Sequence, residues 1–347
     1  MINGDTLERN YKDTLSDYKN WDQKSHAATW VLLPENLGPK LGIDETSFNG
    51  ELYTILHNKA GHGRKGSIVA IVKGVKPDVV AKVINKIPED ERLKVTSITM
   101  DLSDSMRSIA RMSFPNARVT RDCFHVVKRG GEGSEELRLR FKREAVKETK
   151  KQQAEFRKHL KKLNQYRKAY ADRMRKKHGK NWHKSNRGRK PKRLNTRFEP
   201  KRLENGETKV EALTRCRTQL LKSRDKWSES QEKRGKILFK EFPKLEDAYN
   251  LVNSLRAIFR NKKLTKATAK DKLHEWNDKV TDETLREIKS VRDTIKLYED
   301  EILNYFIDWE TNASAESLNA KAKCFRAELK GVNEISFFMY RLTQVLG

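Results

Sequence analysis

The strongest constraint on the fold of this chain is an abrupt change of pattern. Residues 41 to 127 hold five short β-branched runs, KLGIDET, ELYTILHNK, GSIVAIVKG, VTSITMDL and ARVTRDCFHVV, with turn residues between several of them. From about residue 134 to 308 that signal stops and long charged segments such as EELRLRFKREAVKETKKQQAEF take over. Short runs rich in Val, Ile and Thr read as strands, and long charged stretches with spaced apolar positions read as helices. Between the third and fourth runs, Val80, Val83, Ile84 and Ile87 share one helical face, and between the fourth and fifth, SDSMRSIARM opens on a Ser N-cap signal. Three consecutive strands followed by alternating helices and strands predict an α/β fold: a mixed five-stranded sheet flanked by helices and interrupted by a large all-α insertion.

The pattern divides the chain into four stretches. Residues 1–38 read as a leading helix, DTLERNYKDTLSDYKNWDQKSHA, and a linker punctuated by LPENLGPK; 39–133 as the first part of the sheet core; 134–308 as the basic helical insertion; and 309–347 as two closing helices with a break at Gly331. With 347 residues the chain has room for one domain carrying such an insertion or for two domains. No internal repeat is visible.

Charge narrows the class of partner. The chain carries 75 Lys and Arg against 48 Asp and Glu, a formal charge of +27. Residues 141 to 200 alone hold 23 basic and 5 acidic side chains, so the positive field is local. Such a balance favours a polyanion, with nucleic acid first. Cys123, Cys216 and Cys324 stand apart from one another and form no CxxC pair, which argues against a local zinc ribbon and a disulfide framework. No apolar run is long enough to span a bilayer, and the N-terminus lacks the order of a signal peptide, so a cytoplasmic protein without membrane contact is expected.

Two acids stand where apolar strands end: Asp44 after LGI and Asp101 after SITM, 57 residues apart. In a sheet where the first and fourth strands are parallel neighbours these carboxylates meet at one edge, where a hard divalent cation could lie between them. The best third ligand is Glu316 in TNASAESLNAKAK, because Asn312, Asn319 and Lys323 fall on the same side of a helix as Glu316. Competing acids have simpler roles. Glu45 alternates to the other face of its strand, Asp104 sits where the helix macrodipole favours an acid, and Glu310 and Glu328 fall off the pattern. Asp122 and His125 end the fifth run, and a His beside an apolar run is more often packed than liganding. The loop HKSNRGRKPKRLN offers Arg187, Arg189, Lys190, Lys192 and Arg193 for phosphate contact, and its RGRKP core resembles an AT-hook that lays Arg into a narrow minor groove. Trp182, just before it, reads as an anchor for that loop.

GIDET, TMDLSDSM, DCFHVVK and above all TNASAESLNAKAKCFRAELKG resemble the DDE transposases of bacterial insertion sequences, in the branch with a helical insertion between the second Asp and the Glu. The similarity runs over residues 38 to 347. It implies an RNase H-like core with Asp44, Asp101 and Glu316 as catalytic, metal-binding acids and two magnesium ions, or manganese in their place. Lys323 and Arg326 would then meet phosphate near the scissile bond. The implied activity is cleavage at transposon ends followed by strand transfer into target DNA, in a homodimeric synaptic complex and with a nucleoid-associated location. The gap of 215 residues from Asp101 to Glu316 is filled by the helical block. The opening segment TLERNYKDTLSDYKNWDQKSHAATWVLLPENLGP resembles a subgroup in which the end-reading region is a separate protein, so a helix-turn-helix partner is expected. Two other readings stay open on the residues alone: an RNase H-like, structure-selective endonuclease of the resolvase type, and a non-catalytic basic helical DNA-binding protein.

Overall fold

The β-branched runs pair into one sheet, because each offers alternating side chains to two apolar layers. The computed structural model describes residues 4–180, 196–281, 286–329, 332 and 334–347. Its chain forms two compact units, the first made of residues 1–129, 254–279 and 291–347, the second of 130–253 and 280–290.

The first unit holds β1 (Trp30–Leu32), β2 (Lys40–Phe48), β3 (Glu51–Asn58), β4 (Ile68–Lys73), β5 (Ser97–Met100) and β6 (Arg118–Arg121). The strand order is β1-β4-β3-β2-β5-β6. β2, β3 and β4 form an antiparallel meander, whose first turn uses Asn49 and Gly50, both at positive φ as a two-residue hairpin requires. β5 and β6 then add parallel to β2, each after a crossover helix, Pro77–Ile84 and Asp104–Ser113. This is an RNase H-like core with its meander and parallel half, joined to a helical insertion.

The period of two along each strand sorts the core. Leu41, Ile43, Ile98, Met100 and Val119 face one way and pack against Val80, Val83, Ile84 and Ile87 of the first crossover helix and Met106 and Ile109 of the second. Phe48, Tyr53, Ile55 and Ile71 face the other way, where they meet Leu318 and Ala322 of helix Ala313–Glu328 and Phe337, Phe338 and Leu342 of helix Ile335–Leu346.

Three local readings are corrected. The sheet has six strands, since Trp30–Leu32, within the stretch read as lead and linker, pairs antiparallel with β4 at its edge. Residues 5–27 are a broken series of short turns, Gly4–Asn10, Tyr11–Leu15 and Asp17–Asn20, whose Tyr18 packs its ring against Phe337 at 5.0 Å and Tyr340 at 5.4 Å. The fifth run stops being a strand at Arg121: CFHVV begins a helix, Cys123–His178, which passes through Gly130, Gly131 and Gly133 without a break. Asp122 starts it, its Oδ1 accepting the Phe124 N–H at 3.0 Å.

In the second unit, Leu137, Leu213, Leu220, Leu238 and Phe239 are buried, and the rings of Trp227, Phe239 and Tyr249 cluster at a tilt of 39° with centroids 5.2 to 6.0 Å apart. Capping boxes at Thr208 with Glu211 and at Ser228 with Gln231 set two helix starts there. No helix among the described residues is long and apolar enough to cross a membrane.

Candidate active site

The parallel ladder brings the acids to one level. β2 pairs with β5 at Lys40 with Ser97, Leu41 with Ile98 and Gly42 with Thr99, an offset of 57 residues. Continued past its last bonded pair, that register sets Asp44 beside Asp101. β5 pairs with β6 from Ser97 with Arg118 to Met100 with Arg121, an offset of 21, so the next pair is Asp101 with Asp122. The Asp122 N–H still donates to the Met100 carbonyl at 2.7 Å, which carries the ladder to that level. Partners in a parallel sheet share a face, so Asp44, Asp101 and Asp122 form a row across the carboxyl ends of three strands.

The electrostatics register this crowding. Burial, and then the nearby Asp101 carboxylate, push the Asp44 carboxyl up to about 6, against the opposing effect of the Glu45 N–H that its Oδ1 accepts at 2.9 Å. Burial also raises the Asp122 carboxyl, which accepts the backbone N–H of Phe124 and of Asn312 and lies near His125 and Glu316. Asp101 accepts the Ser103 N–H at 2.8 Å. Asp104, by contrast, is committed to structure: Tyr298 Oη donates to it at 2.7 Å and Arg121 Nη2 at 2.9 Å.

Helix Ala313–Glu328 is laid along β2 by residues seven apart. Asn312, at its N-cap position, donates its Nδ2 to the Ile43 carbonyl at 3.5 Å; Asn319 Nδ2 donates to Asp44 Oδ2 at 2.8 Å; Arg326 Nε donates to Asn49 Oδ1 at 3.1 Å. Gly42 makes the first contact feasible, because a Cβ there would lie 2.6 Å from His57 Nε2 and 2.9 Å from Asn312 Oδ1. His57 Nε2 in turn lies 3.0 Å from Ser314 Oγ, and burial pushes this imidazole down to about 4, which keeps it neutral. Just ahead of the helix, Glu310 is 9% exposed and receives Lys40 Nζ at 2.7 Å, Lys59 Nζ at 3.3 Å and Ser97 Oγ at 2.9 Å. These ties fix the first turn of the helix, which carries Glu316.

Glu316 is 51% exposed and its Oε1 stands 3.9 Å from His125 Nε2. The structure therefore brings Asp44 beside Asp101, and Glu316 beside His125. Among the described residues it does not close three His, Cys, Asp or Glu side chains into one group tight enough to enclose an ion. Lys323 is exposed and makes no ion pair among the described residues. Arg326 is held by protein, since besides Asn49 its Nη1 donates to the Val332 carbonyl at 2.7 Å. Arg187, Arg189, Lys190, Lys192, Arg193 and Trp182 lie outside the described residues.

The donor set suits a hard divalent cation. Asp44 and Asp101 are oxygen ligands close enough to repel one another, a conflict that a cation between them would remove. Among the described residues, two buried amide oxygens at the same helix–strand seam, Oδ1 of Asn312 and of Asn319, have no hydrogen-bond partner. From the sequence, Asp122 and His125 read as more often packed than part of the site; the signal that raises Asp122 is its spacing from Asp101, which becomes meaningful once the ladder is known. The roles of His57 and Lys59 had no sequence signal, because they depend on the bare backbone at Gly42 and on a lysine crossing to another element.

A model of the transposase family DDE_Tnp_ISL3 matches residues 41–342. The chain belongs to that family. No curated protein and no solved structure matches it. Membership makes this a DNA-acting enzyme of transposition, and the matched span takes in the three parallel strands β2, β5 and β6, the whole helical insertion and the Glu316 helix.

Proposed function

We propose that this transposase cuts a phosphodiester at the ends of its element and transfers the freed 3′-hydroxyl to target DNA, with Asp44, Asp101 and Glu316 as the catalytic acids. They would hold two divalent cations, magnesium first and manganese as a substitute. Bound there, such ions supply an acidified nucleophile and charge stabilisation of the departing 3′-oxygen. The observation that supports this reading most is the register of β2 with β5, whose offset equals the spacing of Asp44 and Asp101.

The chain's own side chains have defined parts in this reading. Asn319 holds Asp44 by its Oδ2 at 2.8 Å, which orients the carboxylate toward Asp101. His125, in the first turn of the long helix and 3.9 Å from Glu316, keeps that exposed carboxylate near the row. Asp122 holds the helix start through the Asn312 N–H. Lys323, exposed and seven residues after Glu316, is placed on the same flank to meet a phosphate of the scissile strand. Two ends must be joined, so two copies act together in the synaptic complex. The likeness of the opening segment to the split subgroup supports a separate helix-turn-helix protein as reader of those ends.

The test is cleavage and joining of a duplex bearing the element's end, with magnesium. Asp44→Asn, Asp101→Asn and Glu316→Gln should each lower both steps by at least a thousandfold and leave duplex binding in chelator unchanged. Retained cleavage in any of the three removes that residue from the set, and cleavage without a joined product favours the resolvase-type alternative.

A further inference from the structure

The long helix Cys123–His178 has no buried residue beyond Ala145. Between residues 150 and 178 it carries twelve Lys and Arg against Glu155 and Asp172. All twelve are exposed, and among the described residues none of them makes an ion pair. Elsewhere in the second unit cations find acids readily, as Lys209 does with Glu241 at 2.8 Å and Arg215 with Glu207. Like charges one turn apart, such as Arg157 with Lys161 and Lys158 with Lys162, work against the helix by a few tenths of a kcal/mol per pair.

Four of the lysines also line up. At about 100° per residue, Lys151, Lys158, Lys162 and Lys176 fall within about 40° of a single line down the helix. Phe156, Leu160, Leu163 and Met174 fall on the opposite side and are each partly covered. Protein packs on that apolar side, where the Phe156 and Phe198 rings lie 5.9 Å apart. The basic side is left without a protein partner among the described residues.

We infer that this lysine line is a phosphate-contact surface for duplex DNA. The reading rests on the proposed function, in which DNA is the substrate, and it assigns the helical insertion a direct role in holding it. From Lys151 to Lys176 the line is 25 residues long, about 38 Å at 1.5 Å per residue, against about 34 Å for one turn of B-form duplex. Between them Ala169 falls on that line, with Gln165 on one side and Glu155 and Arg173 on the other, each about 40° away, so ammonium groups dominate the face and at most one Arg fork flanks it. Such a face neutralises phosphates and reads little sequence.

The experiment is the salt dependence of binding to a fluorescein-labelled 40-base-pair duplex of arbitrary sequence, measured by anisotropy on the full chain in chelator. Replacing Lys151, Lys158, Lys162 and Lys176 together by Gln should reduce the slope of log K against log salt by about 3.6, four contacts at about 0.9 each. Between 50 and 200 mM salt the wild-type Kd should then rise roughly 150-fold more than that of the variant. The corresponding Lys→Arg set should keep the wild-type slope, and far-ultraviolet circular dichroism should show equal helix in all three proteins. An unchanged slope in the Gln set overturns the assignment, as does equal loss in the Gln and Arg sets. Tighter binding of a 40-nucleotide single strand or of duplex RNA than of the DNA duplex overturns the duplex assignment. If the wild type binds no duplex at all, the proposed function itself falls, a result separate from an undiminished slope.

Discussion

Asp44→Asn tests the acid row in the absence of any catalytic step. The native carboxyl holds its proton up to about 6, where an unfolded aspartate releases it near 3.8. The folded protein therefore binds more protons than the unfolded chain between those values, and this group's favourable contribution, full below 3.8, is lost as pH rises through about 6. At about 1.4 kcal/mol per pH unit, the ionised Asp44 costs the metal-free protein about 3 kcal/mol at neutral pH. Asparagine removes the charge and keeps the shape. Its single oxygen can stay on the Glu45 N–H, and its amide can donate to the unpartnered Oδ1 of Asn319 once that side chain turns over. In chelator at pH 7.5 the variant should thus melt a few degrees above the wild type, and the difference should vanish near pH 4. Adding magnesium should raise the wild-type midpoint and leave that of the variant in place. The measurement is scanning calorimetry or fluorescence-detected melting at several pH values. A variant less stable than wild type in chelator at pH 7.5, or an equal magnesium shift in both proteins, refutes the argument that Asp44 is held in a repulsive, cation-seeking position.

Other perturbations probe the seat of the Glu316 helix. Glu310→Ala leaves Lys59 buried without its counter-charge, so urea unfolding should show a loss of about 3 kcal/mol; a loss below about 1 kcal/mol would mean that the lysine relaxes to solvent. Gly42→Ala places a methyl against His57 and Asn312, and should cost about 1 to 3 kcal/mol and most of the cleavage activity while duplex affinity in chelator holds; wild-type cleavage rates would show that the helix does not depend on this close approach. Arg326→Ala removes a tie to Asn49 and to the Val332 carbonyl, and should lower stability by about 1 to 2 kcal/mol with little effect on the salt slope of DNA binding. A slope reduced by about one unit in that variant would return Arg326 to the phosphate-binding set.

What could be read from the sequence followed the strength of the local pattern. The meander, both crossover helices and the adjacency of Asp44 and Asp101 were visible because long β-branched runs and helical periodicity leave few alternatives. Trp30–Leu32 was not, since three residues at a sheet edge are too few to show alternation. CFHVV was misread because an apolar run of that length fits a strand end or a helix start equally well, and the carboxylate of Asp122 decided it by capping. The site was legible as far as neighbours on one element could show it. Asn312, Glu316 and Asn319 share a helix, so their spacing carried information; Lys59 with Glu310 and His57 with Ser314 join residues more than two hundred positions apart, and only the folded chain pairs them.

The seven-residue spacing of Asn312, Asn319 and Arg326 along β2 makes the segment a ruler. Upstream, connections between helices of the second unit can lengthen or shorten without moving the graduation marks, whereas β6 and Asp122, which holds the Asn312 N–H, cannot. A single codon gained or lost between Asn312 and Asn319 is another matter: it turns everything after it by about 100°, and Asn319 would then point away from Asp44. Length in this chain is therefore held to the residue in that short stretch, as it is along the paired strands that carry the acids.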